Sequence, residues 1–276
     1  MSKDYLGTYN GTVFYPLSNE TYDVNLEAIA FSLSNNTRFC GHTKEFWSVA
    51  QHSLLVSKVI KDKLCSEIRE CKLDLNLAML YGLLHDASEA YLSDICRPIK
   101  QYLPDYKKYE QLVQTKILKT FGLYPNENFD LYMKFVTVAD DTVLYAEANR
   151  LMNPSDLWKE DYKEGFSMAY VSEIENCIQT QNIQIVEALF IDECITLLNS
   201  LNSANGVVDK LQESSDLDSY KPLYKEGKIR YYFKENGETY SFYDSKSQEY
   251  RSFNKEDIDN TLDLFKWIDK RWNYET

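Results

Sequence analysis

Apolar residues recur at helical spacing along most of the chain between residues 25 and 201. Repeats of three and four residues are typical of amphipathic helices that bury one face. The segment 75–91 is apolar on most sides, which predicts a helix at the centre of a domain. The predicted helices begin near residue 25 and cover residues 48–64, 75–91, 106–120, 131–152 and 182–201. The sequence therefore predicts a mostly α fold, with a helical domain over residues 1–202.

The composition changes after residue 202. Residues 203–219 are rich in Ser and Asp, which is typical of a linker. Beyond them, two aromatic runs flank Asn236-Gly237, a pair that favours the positive φ angles of a tight hairpin turn. Residues 254–257 are typical of a helix start, and an apolar stripe follows them. We therefore expect a small ββα unit of unknown role over residues 220–276, packed on the helical domain or on a second subunit.

The composition also limits the partners of the chain. The formal net charge of −13 argues against a general affinity for nucleic acid, but a few local cations suffice for one small phosphate ligand. No apolar run approaches the roughly 20 residues that span a bilayer, and the start of the chain predicts no signal peptide. The six cysteines contain no CxxC pair, which favours reduced thiols over a disulfide framework or a zinc knuckle. A cytoplasmic protein that does not bind membranes is expected.

The chain has only three histidines, and all of them lie between His42 and His85. His85 is followed by Asp86 and Glu89 within one predicted helix, while His52 and Asp140 lie in two others. Two imidazoles and two carboxylates from three helices form a mixed nitrogen and oxygen ligand set. Such a set suits a divalent ion such as Mn, Co, Zn or Fe, and suits Mg less because of the nitrogens.

This arrangement is useful for hydrolysing phosphate esters. A bound divalent ion lowers the pKa of a water molecule and neutralises charge on a phosphoryl oxygen. Nearby carboxylates can then position that water and protonate the leaving oxygen. Side chains that could bind a phosphate or stack on a base are also present in these segments: Arg38, Phe39, Trp47, Tyr91, Arg97 and Lys100.

Three separated blocks resemble a known family. They read RFCGHTKEFWSVAQHSLLVS, LLHDASEAYLSDICRPIK and VADDTVLYAEANRLM. In this order and spacing they are similar to the HD-domain phosphohydrolases, in particular to the bacterial and phage 5′-deoxynucleotidases and the phage dATP triphosphohydrolases. The resemblance covers roughly residues 5–202 and implies an HD-domain helical bundle. The ββα tail lies outside it.

The resemblance also implies roles for individual residues. His52, His85, Asp86 and Asp140 would be the metal ligands. Glu89 and Asp94 would be the catalytic carboxylates. Arg38 would contact the phosphate, and His42 and Lys100 would be further substrate contacts. Phe39 is a substrate-binding candidate because its ring could stack on a base. A homo-oligomer is also implied, and so is a phage origin, in which case the protein would act in the host cytoplasm.

Each of these side chains also has a simpler interpretation. Glu89 could only orient His85, and Asp94 could only end a turn. Arg38 could belong to a surface ion pair, and His42 could order its loop. Arg97 and Lys100 could be the charged end of a loop, and Trp47 and Tyr91 could be core aromatic residues. Asp141 and Glu147 could be solvated, or could hydrogen-bond a metal ligand without binding the metal.

The sequence predicts a metal-dependent phosphohydrolase that acts on small nucleotides. It would cleave the 5′ phosphate ester of a dNMP or dNTP and release a nucleoside with phosphate or polyphosphate. Two alternatives remain open: a hydrolase of a cyclic or signalling nucleotide, and a non-catalytic module that binds nucleotides or a partner. The charge of −13 disfavours a third, hydrolysis of nucleic acid, which would need a locally basic pocket.

Overall fold

A computed structural model of the chain describes residues 5–16, 24–153, 168–204, 221–225, 228–236, 239–244 and 249–254. The chain divides into two compact units, Met1–Thr180 and Gln181–Thr276. The predicted domain boundary at residue 202 stays a prediction. Among the described residues, no helix combines the length and the apolarity that crossing a bilayer requires.

The described part of the first unit consists mainly of helices. A short antiparallel pair of strands, β1 (Leu6–Gly7) and β2 (Val13–Phe14), precedes them. The helices are α1 (Leu26–Asn35), α2 (Val49–Lys63), α3 (Cys65–Glu70), α4 (Leu75–Leu84), α5 (Glu89–Leu92), α6 (Arg97–Lys100), α7 (Pro104–Thr120), α8 (Phe129–Leu151) and α9 (Met168–Cys177). The mostly helical fold class expected from the sequence is confirmed.

Helices α2, α4 and α8 pack against one another at the centre of this unit. Gly82 on α4 permits the close approach of α2. A Cβ atom at this position would lie 2.5 Å from Ile60 Cδ1 and 3.3 Å from Val56 Cγ1, and both of those residues are fully buried. A close-packed interior leaves little room for such an atom. This contact sets the spacing between α2, which carries His52, and α4, which His85 directly follows.

The start of α2 agrees closely with the sequence. Ser48 caps the helix, since its hydroxyl accepts a hydrogen bond from the Gln51 backbone N–H at 3.2 Å. The Gln51 side chain in turn accepts from the Ser48 backbone N–H at 3.1 Å. This reciprocal arrangement satisfies two backbone donors at the helix start. His52 lies in the first turn of the helix that begins at this cap.

The prediction of one continuous helix over residues 75–91 is wrong. Helix α4 ends at Leu84, and the chain forms tight turns before α5 begins at Glu89. A glutamine on α7 satisfies the backbone groups released there: Gln114 accepts a hydrogen bond from the Ser88 N–H at 3.0 Å and donates one to the Leu84 carbonyl at 2.6 Å. Apolar periodicity does not report such a partner, because it comes from a distant part of the sequence.

The second unit contains α10 (Ile183–Ala204) and a four-stranded antiparallel sheet. The strands follow the order β3 (Lys221–Lys225), β4 (Lys228–Asn236), β5 (Thr239–Asp244) and β6 (Glu249–Asn254). The predicted hairpin is present, with Asn236 opposite Thr239. The sequence analysis missed β3 and β6, so the described tail is a sheet of four strands and not of two. The predicted helix after residue 254 lies outside the described residues.

Candidate metal centre and phosphate pocket

Two histidines and an aspartate from separate segments meet beside α2, α4 and α8. His52 lies on α2, His85 follows the end of α4, and Asp140 lies on α8. One ligand atom from each of the three lies within 4.8 Å of the others. His52 Nε2 is 3.1 Å from Asp140 Oδ1, and His85 Nε2 is 3.9 Å from the same oxygen.

Asp86 extends this cluster. Its Oδ2 atom is 3.1 Å from His85 Nε2 and 3.8 Å from His52 Nε2. The break after α4 places Asp86 and His85 in a turn and not on a helix face, yet both side chains still reach the same point. The four residues predicted as metal ligands therefore lie together.

The donor set fits a divalent cation. Each imidazole places Nδ1 against an acceptor: His52 faces Glu147 Oε1 at 2.9 Å, and His85 faces the Gly82 carbonyl at 2.8 Å. An Nδ1–H at each position leaves the Nε2 lone pair directed at the carboxylates. Both Nε2 atoms are buried, and within the described part of the chain neither has a hydrogen-bond partner of acceptable geometry. Lone pairs that face carboxylate oxygens at these distances require a proton or a cation between them.

Glu147 connects the metal cluster to Arg38. Its carboxylate is fully buried and accepts hydrogen bonds from His52 Nδ1 at 2.9 Å, Trp47 Nε1 at 2.7 Å and Arg38 Nε at 3.1 Å. The solvated alternative for Glu147 is therefore excluded, and the supporting alternative agrees with the geometry. Its spacing was a usable signal, because Glu147 lies seven residues after Asp140 and so on the same face of α8.

A cavity of about 610 Å³ opens beside the cluster. This volume lies in the range of sites for small molecules, about 300–1,000 Å³. All of the predicted catalytic and substrate-binding residues line it, together with two of the predicted metal ligands: Arg38, Phe39, His42, Asp86, Glu89, Asp94, Lys100 and Asp140. Trp47 is 3% exposed and belongs to the core. The ring of Tyr91 stacks on that of Phe14, with 3.7 Å between the ring centroids, and Tyr91 does not line this cavity.

Residues 35–194 match the family described as 5′-deoxynucleotidase YfbR-like. The match covers more than half of the chain. The chain belongs to the YfbR-like 5′-deoxynucleotidase family. A protein of Escherichia coli (strain K12) that is named YfdR and described as uncharacterized is 37% identical over 121 residues, which is 44% of this chain and 60% of YfdR. The aligned region spans less than two thirds of that relative.

Membership in the YfbR-like family supports a nucleotide phosphohydrolase and confirms the resemblance derived from the three sequence blocks. It also agrees with the expectation of a divalent metal, for which the His52, His85 and Asp140 cluster is a suitable site.

The surroundings of the half-buried carboxylates Asp86 and Asp140 favour their ionised forms. Burial disfavours the charged form of Asp86, but the adjacent His85 outweighs it and lowers the pKa of Asp86 well below its usual range. Burial opposes ionisation of Asp140 too, while His52 and His85 lower its pKa. Arg97 adds to this effect, because its Nη2 lies 2.5 Å from Asp140 Oδ2 and its Nη1 bonds Asp141. Ionised carboxylates are the form that binds a cation.

The pKa of Glu89 shifts in the opposite direction from the pKa values of Asp86 and Asp140. It is 3% exposed, and its Oε2 atom has no hydrogen-bond partner among the described residues. Burial, followed by the charges of Asp86 and Asp94, raises the pKa of Glu89 well above its usual range. Lys100 partly opposes this rise from 3.5 Å, but it also donates to Glu110 Oε1 at 2.6 Å. Glu89 is therefore a stronger proton acceptor than an exposed glutamate.

Asp94 reaches the cavity from a strained backbone. The preceding residue, Ser93, ends α5 with φ 67° and ψ 158°, a conformation that residues other than glycine rarely adopt. Such strain persists where the surrounding structure holds it, and it is concentrated at functional sites. Burial raises the pKa of Asp94 while Arg38 opposes the rise. The simpler interpretation of Asp94 as a turn residue does not account for this position in the cavity wall.

Metal affinity is expected to increase with pH. Burial and Arg38 oppose protonation of His52, but Glu147 and Asp140 outweigh them and raise its pKa to about 9. In the metal-free protein, the protonated form therefore contributes stability that is complete below about pH 6.5 and is lost as the pH rises through about 9. An incoming cation must displace this proton, so the affinity for Mn²⁺ should rise by up to about tenfold per pH unit between pH 7 and 9.

Titration calorimetry with Mn²⁺ at several pH values, in two buffers of different ionisation enthalpy, measures both the affinity and the protons released. An affinity that stays constant over this interval, with no proton release, would contradict the assignment of a protonated His52. The His42→Gln variant is the matched control, because His42 lies outside the cluster.

Proposed function

We propose that the chain is a divalent-metal-dependent phosphohydrolase that removes the 5′ phosphate of small deoxynucleotides. The observation that carries the proposal is the cluster of buried His52 with half-buried His85, Asp86 and Asp140 at the edge of a cavity that also contains Arg38. Membership in the 5′-deoxynucleotidase family supports the same reaction class.

Separate groups of residues would bind the metal ion and the phosphate. A divalent ion bound by His52, His85, Asp86 and Asp140 would supply an activated water and neutralise phosphoryl charge. Arg38 is 8% exposed and oriented by Glu147, so its guanidinium can hold a phosphoryl oxygen in one position. Lys100 is available as a second cation on the cavity wall.

Two carboxylates, Glu89 and Asp94, would transfer protons during hydrolysis. Glu89, with its raised pKa and an unpaired Oε2, would orient the attacking water and accept its proton. Asp94, whose pKa burial also raises, would assist proton transfer to the leaving 5′ oxygen. Phe39 and His42 lie on the same cavity wall and would contact the nucleoside.

The charge of the cavity favours monophosphates over triphosphates. Its lining carries three cations, Arg38, Arg97 and Lys100, and each of them already contacts a carboxylate. The lining carboxylates are Asp86, Glu89, Asp94 and Asp140. Because each of these cations is already paired with a carboxylate, a bound divalent ion leaves charge compensation for about one phosphate group. We therefore expect dNMPs to be hydrolysed faster than dNTPs.

The test is release of nucleoside and phosphate from a panel of dNMPs and dNTPs. The protein is treated with EDTA and then given Mn²⁺, Co²⁺, Mg²⁺ or Zn²⁺. Metal-restored turnover is expected, and Asp86→Ala should reduce it by a factor on the order of 10³ or more, since the site then lacks one of its ligands. Asp62→Ala, an exposed acid on α2 that pairs with Lys58, is the matched control and should retain activity.

The alternatives predict other results. Turnover of cyclic or signalling nucleotides but not of dNMPs would replace the proposed substrate. Nucleotide binding without turnover in any metal would support a non-catalytic module. Full metal-dependent activity in Asp86→Ala would contradict the proposed metal site itself.

A further inference from the structure

Two cysteines from different loops meet beside the cavity, and one of them, Cys96, lines its wall. Cys40 lies in a 3₁₀ turn, Phe39–Gly41, and Cys96 directly precedes α6. Their sulfur atoms are 2.8 Å apart, although the residues are 56 positions apart in the sequence. A disulfide requires about 2.05 Å between sulfurs, so the two sulfurs must approach by about 0.8 Å to reach bonding distance.

The backbone holds Cys40 in this position. Phe39, Cys40 and Gly41 have φ angles of 55°, 52° and 77°, so three consecutive residues adopt left-handed conformations. Hydrogen bonds from the Arg38 N–H to the Trp47 carbonyl at 2.9 Å and from the His42 N–H to the Phe39 carbonyl at 3.0 Å enclose the turn. Two of these residues are not glycine, and such strain is maintained only where the surrounding contacts enforce it.

The two thiols join segments that carry the proposed chemistry. The Cys40 turn continues from Arg38 and Phe39, while Cys96 lies between Asp94 and Arg97. We propose that Cys40 and Cys96 form a reversible disulfide that ties these two segments across the cavity and slows turnover. The effect on turnover rests on the proposed function, whereas formation of the bond does not.

The reaction is a thiol–disulfide exchange with a low-molecular-weight disulfide as oxidant. Cys40 is exposed and attacks first, which breaks the S–S bond of the oxidant and releases one small thiol. The Cys96 sulfur then attacks Cys40 in the mixed disulfide and releases a second small thiol. The two protons of the cysteines pass to the two released thiols, the cysteines lose two electrons, and the oxidant gains them.

The order of the two steps follows from the environment of Cys96. Its hydrogen bond with Cys40, together with burial, raises the pKa of Cys96 to about 11. A thiol with this pKa is a poor first nucleophile, because the thiolate is the attacking species. Once Cys40 is in the mixed disulfide, the hydrogen bond is lost and Cys96 is adjacent to the sulfur that it attacks. In a reducing compartment such a bond forms transiently, which is typical of regulatory disulfides.

The experiment uses the reduced full chain incubated with oxidised glutathione. Mass spectrometry of peptides made without reduction is expected to show Cys40 linked to Cys96. Mn²⁺-dependent turnover of a dNMP should fall by roughly tenfold or more, because displacements approaching about 1 Å at an active site cost up to about a hundredfold. Dithiothreitol should remove the cross-link and restore turnover.

Variants separate this bond from oxidation elsewhere. Cys40→Ser and Cys96→Ser should form no cross-link, and the turnover of each should be unchanged by oxidised glutathione when compared with its own reduced form. Cys71→Ser removes another exposed cysteine and should respond as the natural sequence does.

The proposal is overturned if the natural sequence forms no Cys40–Cys96 peptide, or if the cross-linked protein turns over as fast as the reduced one. If the reduced protein hydrolyses no nucleotide, that result contradicts the proposed function. The peptide measurement still decides whether the disulfide forms, because it does not depend on turnover.

Discussion

Replacement of Glu89 by glutamine is expected to lower kcat by roughly 10²–10⁴-fold, the usual contribution of a general acid or base. The amide has nearly the same shape as the carboxylic acid but cannot accept a proton from water. Because burial and the neighbouring charges of Asp86 and Asp94 raise the pKa of Glu89, its ionised form is costly in the folded protein at neutral pH. Glu89→Gln should therefore keep or increase the temperature of unfolding while it removes activity.

The measurement pairs dNMP turnover with thermal unfolding and Mn²⁺ binding. Metal affinity is expected to stay near that of the natural sequence, since Glu89 is not a ligand in the proposed site. Glu110→Gln is the matched control, because Glu110 also contacts Lys100 but does not line the cavity, and its loss of turnover should be much smaller. Full activity in Glu89→Gln would show that this side chain only fills its site as a neutral acid.

Replacement of Glu147 by alanine is expected to give the largest loss of stability. Removing one partner of a buried ion pair costs about 3–5 kcal/mol, because the remaining charge is left without compensation. Here the remaining groups are Arg38 and the Nδ1–H of His52, together with the Trp47 indole N–H. Glu147→Gln keeps a hydrogen-bond acceptor and should lose less stability. Mn²⁺ affinity should fall by about 10–100-fold in Glu147→Gln, since an outer carboxylate orients the ligand that it contacts.

Acid titration tests the same residue. Burial opposes ionisation of Glu147, but Arg38 and His52 outweigh it and lower the pKa of Glu147. The stability that this carboxylate contributes is complete above the ordinary glutamate pKa of about 4.3 and is lost as the pH falls below it, toward the lowered value. Urea unfolding in EDTA should therefore show a steeper acid loss in the natural sequence than in Glu147→Gln.

Glu67→Gln is a suitable control for both measurements, because Glu67 is an exposed acid on α3. It should change neither stability nor metal affinity appreciably. Equal acid sensitivity in the natural sequence and in Glu147→Gln, or unchanged Mn²⁺ affinity in the variant, would contradict the role assigned to Glu147. The variants of Glu89 and Glu147 distinguish a residue that transfers protons from a residue that positions a metal ligand. The Glu89 variant should lose turnover without losing stability, whereas the Glu147 variants should lose stability and metal affinity.

The helical architecture was predictable because each long helix carries its own periodic signal. The predicted segments 48–64, 106–120 and 131–152 agree to within about two residues with α2, α7 and α8, which is ordinary uncertainty for helix ends. The residues proposed as metal ligands were found from residue type, spacing and the resemblance of three blocks. These are local properties of the sequence, and the structure brings the four side chains together.

Contacts between distant segments were not predictable in this way. The helix break after Leu84 depends on Gln114, and the buried position of Glu147 depends on Trp47 and Arg38. Strands β3 and β6 were not predicted, because a short polar segment has little strand propensity of its own. Each forms a strand by pairing with its neighbour, β3 with β4 and β6 with β5.

By itself, the sequence determined the class of the fold, the order of its main helices and the ligand types of the candidate metal centre. Those features depend on the periodicity of apolar residues and on the side-chain chemistry at given positions. Only the tertiary structure decided which polar groups are buried together: Glu147 with His52 and Arg38, and Cys40 with Cys96. The physical reason is that burial and distance, which set pKa values and reactivity, arise from the packing of segments that are far apart in the chain.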